Sequence, residues 1–321
     1  MCYDNGGNYN LPRCPGRAAK KGDGRTMKIT VFGEILWDMF PDKREIGGAA
    51  FNFAAHMAKL GADVTMLSAL GKDREGDDAL ELAAGFGIDL TNTARVDLPT
   101  GRALITLTDG TPDYELPYPV AYDCVPLPPA GSPCFNADAV YFGSLPARNP
   151  GSVTRASLKA LLERGNYREL FFDINIRKQN YTADLLDLAL SHATIFKLSR
   201  DERAVLDIDA DPDNHKSFCR AICRRYPNIR LVLLTLDKDG SKVYDARADK
   251  IRRIRCSRSK VVSTVGAGDS FSACFLYNYL SGEPVEVCLK RATALADYVV
   301  GHLGAIPDYT PELVNKIRPL A

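Results

Sequence analysis

The chain has 321 residues, of which 45% are hydrophobic and 25% are charged, and its formal net charge at pH 7 is +1. This balance is typical of a soluble globular protein, and it gives no electrostatic reason to expect a nucleic-acid or membrane partner. The nine cysteines lack paired Cys-x-x-Cys spacing and the four histidines are dispersed. The sequence therefore predicts free thiols in a reducing cytoplasm, and it excludes a recognisable zinc motif or histidine-based triad.

Residues 1–26 are expected to be a disordered extension or a tag. They are rich in Gly, Asn, Arg and Lys and contain no apolar stretch. They can contribute little to a core, and they lack the apolar region of a secretory signal. We expect one domain over residues 27–321.

From Ile29 onward, short apolar runs alternate with segments of helical periodicity. The predicted strands are 29–32, 64–67, 140–143, 170–177, 194–197 and 231–236. The predicted helices are 51–60, 79–86, 152–164, 183–191, 216–225, 271–280 and 285–300, with a further helix opening at 199–205. Strands alternating with helices predict a doubly wound, mostly parallel α/β sheet covered on both faces, with an antiparallel segment at 241–255.

A segment with a different pattern of apolar and polar residues interrupts this alternation of strands and helices. Residues 95–118 alternate apolar and polar side chains around the turn Asp109-Gly110, which predicts an antiparallel strand pair with one exposed face. We expect a small antiparallel β lid built from about 39–48 and 95–119. Because its apolar face is too small to be stable alone, we also predict a homodimer joined through the lid.

Two glycine-containing segments carry the chemistry. Gly47-Gly48 precedes a helix with Asn52 in its first turn, where Asn could be a local cap or a ligand contact. The run from Gly266 to Asp269 lies between the β-branched stretch 261–265 and a helix. Glycines at a strand-to-helix turn let backbone amides approach an anion, although Asp269 could instead be a helix cap.

Further polar residues fall at predicted strand ends and helix starts, where ligands of α/β sheets bind. Carboxylates and amides suit sugar hydroxyls, and arginine suits a phosphate. Each residue taken alone could equally be a turn former or part of a surface ion pair. Their shared position favours one site, and they are Asp38, Asn52, Asp173, Asn175, Arg177, Glu202 and Asp269.

Two signatures make the sequence resemble the ribokinase-like carbohydrate kinases, or PfkB family. They are Ile-Gly-Gly-Ala-Ala-Phe-Asn-Phe-Ala at 46–54 and Thr-Val-Gly-Ala-Gly-Asp-Ser-Phe at 264–271. The resemblance extends from Met27 to about Pro307. The segments 33–38, 120–123, 172–177 and 197–199 are most similar to the bacterial fructokinase branch.

This resemblance implies a ribokinase-like three-layer α/β/α fold and ATP-dependent phosphorylation of a sugar hydroxyl with Mg²⁺, most simply fructose to fructose 6-phosphate. It implies a base at Asp269, with charge on the transferred group stabilised by the amides of Gly266, Ala267 and Gly268. It places the sugar near Asp38, Gly47, Gly48, Asn52 and Arg177, the nucleotide near Lys197, Thr235 and Gly240, and hydrated Mg²⁺ near Glu202.

Three positions depart from the family pattern. Ser199 replaces an Asn of ribokinases, although fructokinase-like members tolerate Ser there, and Ser263 replaces an Asp that helps to hold a monovalent cation, which makes K⁺ activation doubtful. Asp237 stands where a glycine normally approaches the nucleotide. Two alternatives therefore stay open: a kinase of ribose, 2-keto-3-deoxygluconate or a nucleoside, and a sugar-binding or scaffold homologue with little turnover.

Overall fold

The computed structural model describes residues 26–108, 111–176, 180–211, 213–257 and 261–319, with the backbone alone at 105–108 and 111–114. Arg177 and residues 1–25 lie outside the described residues. The predictions made for these residues therefore stay predictions.

The described strands form two sheets. They are β1 Lys28–Phe32, β2 Leu36–Met39, β3 Arg44–Gly47, β4 Asp63–Gly71, β5 Thr93–Val96, β6 Gly101–Thr108, β7 Thr111–Glu115, β8 Asn136–Gly143, β9 Asn166–Asp173, β10 Ile195–Ser199, β11 Leu231–Thr235, β12 Ser241–Asp245 and β13 Lys250–Ile254. Nine form the main sheet in the order β13-β12-β11-β10-β9-β8-β1-β4-β5. All its pairs are parallel except those of β12 with β11 and β13.

Helices cover both faces of the main sheet. They are α1 Ala49–Leu60, α2 Arg74–Gly85, α3 Val153–Arg164, α4 Ala183–His192, α5 His215–Arg225, α6 Ala267–Leu280, α7 Val285–Val300 and α8 Pro311–Ile317. One buried apolar cluster joins the sheet to α1, α2, α6, α7 and α8, and a second joins its other face to α3, α4 and α5. The predicted three-layer α/β/α fold is confirmed. Within the described ranges, every helix is too short or too polar to cross a bilayer.

The remaining four strands form the lid sheet, in the order β3-β2-β6-β7. The pair β6–β7 is antiparallel as predicted, and β2–β3 is antiparallel too, whereas β2 and β6 pair in parallel. The lid begins at Leu36, earlier than expected, and Arg95 belongs to the main sheet because residues 93–96 pair with 68–71. Trp37 is fully buried, and its indole N–H donates to the carbonyl of Glu75 on α2 at 3.0 Å. This contact attaches the lid to the core.

Two predicted boundaries next to the cleft are wrong. Strand β9 ends at Asp173 and not at 177, because Asn175 has a left-handed backbone with φ of 38° that cannot continue a strand. The stretch 261–265 is not a strand, since the amides of Val262 and Ser263 both donate to the carbonyl of Val300. Helix α6 therefore begins at Ala267 and contains Asp269 in its first turn.

Two predicted helices also differ from the structure. Helix α2 starts at Arg74, before the predicted 79, because the Asp73 carboxylate caps it by accepting from the Gly76 amide at 2.8 Å. The helix expected to open at 199–205 is a single 3₁₀ turn, Asp201–Val205. Neither change moves a candidate site residue away from the C-terminal edge of the main sheet.

Candidate active site

A small cleft of about 290 Å³ lies between the C-terminal edge of the main sheet and the lid. One wall is formed by the lid, through Leu36, Asp38 and Ala103. The opposite wall is formed by the start of α6. Most of the predicted site residues line it, namely Asp38, Gly48, Asn52, Asn175, Lys197, Glu202, Thr235, Gly266, Gly268 and Asp269. The predicted convergence of residues from distant segments is therefore present in the structure.

A large cleft of about 820 Å³ adjoins the small one. It lies between the turn that joins β11 to β12 and the helices α6 and α7, and it contains Gly240 and Ala267. Thr235, Thr264 and Gly268 border both clefts. Ligands in the two clefts would therefore meet at the N-terminus of α6.

Asp269 and Asn52 form the centre of the small cleft. The amide of Asn52 donates to a carboxylate oxygen of Asp269 at 2.9 Å, and both side chains are at least nine-tenths buried. The amide oxygen of Asn52 has no hydrogen-bond partner among the described residues. A buried acceptor of this kind requires a donor, and a ligand hydroxyl in the cleft would supply it.

The turn at the N-terminus of α6, residues 266–268, has the geometry of an anion-binding turn. Gly266 precedes the helix with φ of 76°, and a methyl group added there would lie 2.6 Å from Ala305. The amides of a first helical turn have no acceptor within the helix, and the helix dipole adds positive potential. The amide of Ala267 makes only a long contact of 3.4 Å to the carbonyl of Thr264. It can therefore donate to an anionic oxygen bound at this turn.

Lys197 supplies a fixed positive charge beside this turn. Its ammonium donates to both oxygens of Asp173 at 2.8 and 2.9 Å, and Tyr141 and Ser272 also donate to that carboxylate. Burial lowers the pKa of Lys197, but the carboxylates of Asp173, Glu202 and Asp269 together outweigh it and raise this pKa above its ordinary value. A methyl group added at Gly268 would lie 3.2 Å from the ammonium, so glycine allows Lys197 to lie close to the helix backbone without displacement.

Gly47 and Asp38 lie diagonally across the β2–β3 pair, in which Gly47 is opposite Leu36 and Asp38 is opposite Glu45. A methyl group at Gly47 would lie 2.3 Å from a carboxylate oxygen of Asp38. Asp38 lines the small cleft, whereas Gly47 does not. Gly47 therefore acts by making room for the Asp38 carboxylate, a role that a sequence motif alone cannot separate from direct contact.

Glu34 is a cleft residue to which no role was assigned from sequence. It accepts a hydrogen bond from the Ala50 amide at 3.3 Å, and burial raises the pKa of Glu34 to about 7. A methyl group at Gly48 would lie 2.8 Å from the Glu34 carbonyl. The usable signal was a charged residue directly after an apolar strand and before a glycine-led helix.

Glu202 joins two loops at the edge of the small cleft. Its carboxylate accepts from the amides of Ile176 and Ser199, both at 2.7 Å. Each oxygen keeps a lone pair for a further donor, and the side chain lines the cleft. Among the described residues no group of three or more His, Cys, Asp or Glu side chains could cage a metal. A single carboxylate fits Mg²⁺ that is held mainly by water and phosphate oxygens.

Two residues of the large cleft, Gly240 and Asp237, have a backbone with positive φ. Gly240 has φ of 93°, and a methyl group there would lie 2.0 Å from the Ile254 carbonyl. Asp237 also has a left-handed backbone, with φ of 50°, although it carries a side chain. That side chain is exposed in the large cleft.

Comparison with known proteins assigns the chain to a class. It matches the pfkB family carbohydrate kinases over residues 29–312. It is 30% identical to the fructokinase of Klebsiella pneumoniae over 90% of this chain and 99% of the relative. It is 24% identical to the ATP-dependent 6-phosphofructokinase of Thermoanaerobacterium thermosaccharolyticum over 89% of this chain and 92% of the relative.

A solved structure shares the fold. The aminoimidazole riboside kinase of Salmonella enterica, complexed with aminoimidazole riboside and an ATP analogue, superposes with a TM-score of 0.74 at 22% identity. The superposition covers 90% of this chain and 99% of that one. The fold and the sequence matches together define a phosphotransferase that acts on sugars. The chain belongs to the pfkB family of carbohydrate kinases.

Proposed function

We propose that this protein transfers the γ-phosphoryl group of ATP to a hydroxyl of a neutral sugar, converting fructose to fructose 6-phosphate. The observation that carries the proposal is the buried Asn52–Asp269 pair at the point where the two clefts meet. The small cleft would hold the sugar and the large cleft the nucleotide. The fructokinase and ATP-dependent relatives support this choice.

Each residue then has a role in positioning or charge stabilisation, which dominate phosphoryl transfer. Asp269 would accept the proton of the attacking hydroxyl, while Asn52 and Asp38 would orient the sugar. The amides at Gly266, Ala267 and Gly268 and the ammonium of Lys197 would face the transferred group. The bound Mg²⁺ would neutralise phosphate charge, and Glu202 would orient its water shell. Thr235 and Gly240 would border the nucleotide.

The charge of the small cleft favours a neutral acceptor. Its lining includes the carboxylates of Asp38, Glu202 and Asp269. Among the described lining residues Lys197 is the one cation, and it is already paired with Asp173. A sugar acid or sugar phosphate would add negative charge beside these three carboxylates, which costs binding energy.

A coupled assay of ADP release tests the acceptor. The panel contains fructose, ribose, 2-keto-3-deoxygluconate, fructose 6-phosphate and adenosine, each at several concentrations with ATP and Mg²⁺. We expect the highest kcat/KM for fructose. A higher value for an anionic acceptor would contradict the charge argument, and no turnover with any member would favour the binding or scaffold alternative.

The side chain of Asp237 is expected to weaken nucleotide binding, because an exposed carboxylate in the large cleft repels polyphosphate. Asp237→Asn removes the charge and tolerates the left-handed backbone. We expect it to lower the Kd for a non-hydrolysable ATP analogue, measured by calorimetry in the presence of Mg²⁺, by about threefold or more. Asp237→Gly should increase the affinity for the analogue no more than Asp237→Asn does, since the effect comes from the charge. Equal affinities in wild type and variants would show that the carboxylate does not reach the phosphates.

Activity is expected to depend little on K⁺. The Ser263 hydroxyl is neutral and accepts from the amide of Val265 at 3.2 Å, and a weakly held monovalent ion needs ligand charge. Turnover should change less than about twofold when tetramethylammonium replaces K⁺ at fixed ionic strength. Ser263→Asp should introduce a dependence. Strong activation of the wild type by K⁺ would refute this prediction.

A homodimer joined through the lid remains a prediction. The lid is a separate sheet of four strands, and a small sheet needs a cover for its apolar face. Sedimentation velocity at micromolar concentration should give a particle of twice the 35.2 kDa chain mass. A monomer across that concentration range would contradict it.

A further inference from the structure

His56 lies in the second turn of α1, one turn after Asn52, and its side chain is fully buried. Its Nε2 is 3.0 Å from the carbonyl oxygen of Ala305, and its Nδ1 contacts the hydroxyl of Tyr309. A carbonyl can only accept, so Nε2–H donates to Ala305 and Nδ1 accepts from Tyr309. Burial also lowers the pKa of His56 to about 3, which keeps this neutral form.

Ala305 in turn packs against the beginning of α6. A methyl group added at Gly266 would lie 2.6 Å from both the Cβ and the carbonyl oxygen of Ala305, and 2.7 Å from its Cα. The backbone of Ala305 is therefore in direct contact with the residue that precedes the anion-binding turn. The carbonyl that touches Gly266 is the same group that accepts the hydrogen bond from His56.

We propose that His56 is a positioning residue for phosphoryl transfer, which fixes the anion-binding turn at Gly266 through the carbonyl of Ala305. The inference rests on the proposed function, because the anion would be the transferred phosphoryl group. Helix α1 reaches the site at two points one turn apart. Asn52 holds the carboxylate of Asp269, and His56 holds the segment behind Gly266. One rigid helix thus sets the distance between the base and the anion-binding amides.

Other contacts of α1 hold a different part of the same segment. Lys59 pairs with Asp308 at 3.1 Å and lies 4.9 Å from the centre of the Tyr309 ring. These contacts stabilise residues 308 and 309, beyond the part that touches Gly266. The two hydrogen bonds of His56 should therefore have different effects. Loss of the bond to Ala305 should lower kcat, whereas loss of the bond to Tyr309 should lower only the stability of the fold.

Three variants test this separation. His56→Gln places an amide nitrogen near the position of Nε2 and can keep the bond to Ala305. His56→Asn is shorter, reaches only the position of Nδ1 and loses that bond. Tyr309→Phe removes the other bond and serves as the matched control. Unfolding of each variant is followed first, so that kinetics are measured where all are fully folded.

We expect His56→Asn to lower kcat about tenfold or more with the KM values for sugar and ATP within about threefold, because small misplacements at the reacting centre are costly. His56→Gln should keep at least about a third of kcat, and Tyr309→Phe should keep kcat while losing stability. Equal kcat in His56→Asn and Tyr309→Phe, or a rise in KM alone, would overturn the proposal.

A second measurement does not need turnover. ADP with aluminium fluoride, Mg²⁺ and fructose mimics the transferred group, and its binding is measured by calorimetry beside binding of ADP alone. His56→Asn should weaken the fluoride complex about tenfold while the affinity for ADP changes less than about twofold. Unchanged affinity for both would overturn the role of His56. Absence of wild-type turnover with every sugar would instead count against the proposed function.

Discussion

Asp269→Asn is expected to lower kcat at least about 100-fold, because a positioned base typically contributes 10²–10⁴-fold. Asparagine keeps the shape of the side chain and can still accept the hydrogen bond that Asn52 donates. The Kd for fructose should therefore stay within about threefold. The coupled assay gives kcat, and calorimetry gives the Kd.

The control for this substitution is Asp97→Asn, which makes the same chemical change at an exposed carboxylate paired with Lys72. It should leave kcat unchanged, since exposed pairs contribute little. An Asp269→Asn variant that keeps more than about a tenth of wild-type turnover would contradict the assignment of the base.

Lys197→Met is expected to reduce the free energy of unfolding by about 3–5 kcal/mol, because it leaves the Asp173 carboxylate buried without its cation. The side chain of Asp173 has no exposed area and would keep only the donors from Tyr141 and Ser272. Urea denaturation measures the loss. Turnover should fall as well, since the fixed charge beside Gly268 is removed.

The double variant Asp173→Asn with Lys197→Met separates the buried charge from lost packing. It should recover most of the stability and none of the turnover, because no unpaired charge remains but the cation is still missing. A double variant less stable than Lys197→Met alone would show that the pair is stabilising in itself. A double variant with restored turnover would remove Lys197 from the site.

Periodicity predicted the alternating strands and helices because buried strands and amphipathic helices leave local patterns. Element ends near the cleft were less predictable. The left-handed backbone of Asn175 and the two bonds to the Val300 carbonyl depend on contacts distant in sequence. The parallel pairing of β2 with β6 has the same origin, since it joins residues as distant in sequence as Leu36 and Gly101.

Both signatures contribute residues to the small cleft, including Asn52, Gly266 and Gly268. They could not reveal that Lys197 is bonded to Asp173, that Gly47 makes room for Asp38, or that Glu34 lines the cleft. The sequence alone assigns no role to His56, because a histidine inside an apolar helix is most simply a core residue. Only its contact with Ala305 connects it to the site.

The shared border at Thr235, Thr264 and Gly268 has a consequence for inhibitor design. Ligands whose reactive ends meet at one border can be joined by a short tether, and binding of one half then presents the other at high effective concentration. Under the proposed function, a bisubstrate compound linking adenosine through a phosphate chain to the 6-position of fructose should bind more tightly than either half alone. The tether length that binds most tightly would report the spacing across Gly268. Selectivity would come from the sugar half, since the fructokinase and 6-phosphofructokinase relatives are named for different acceptors.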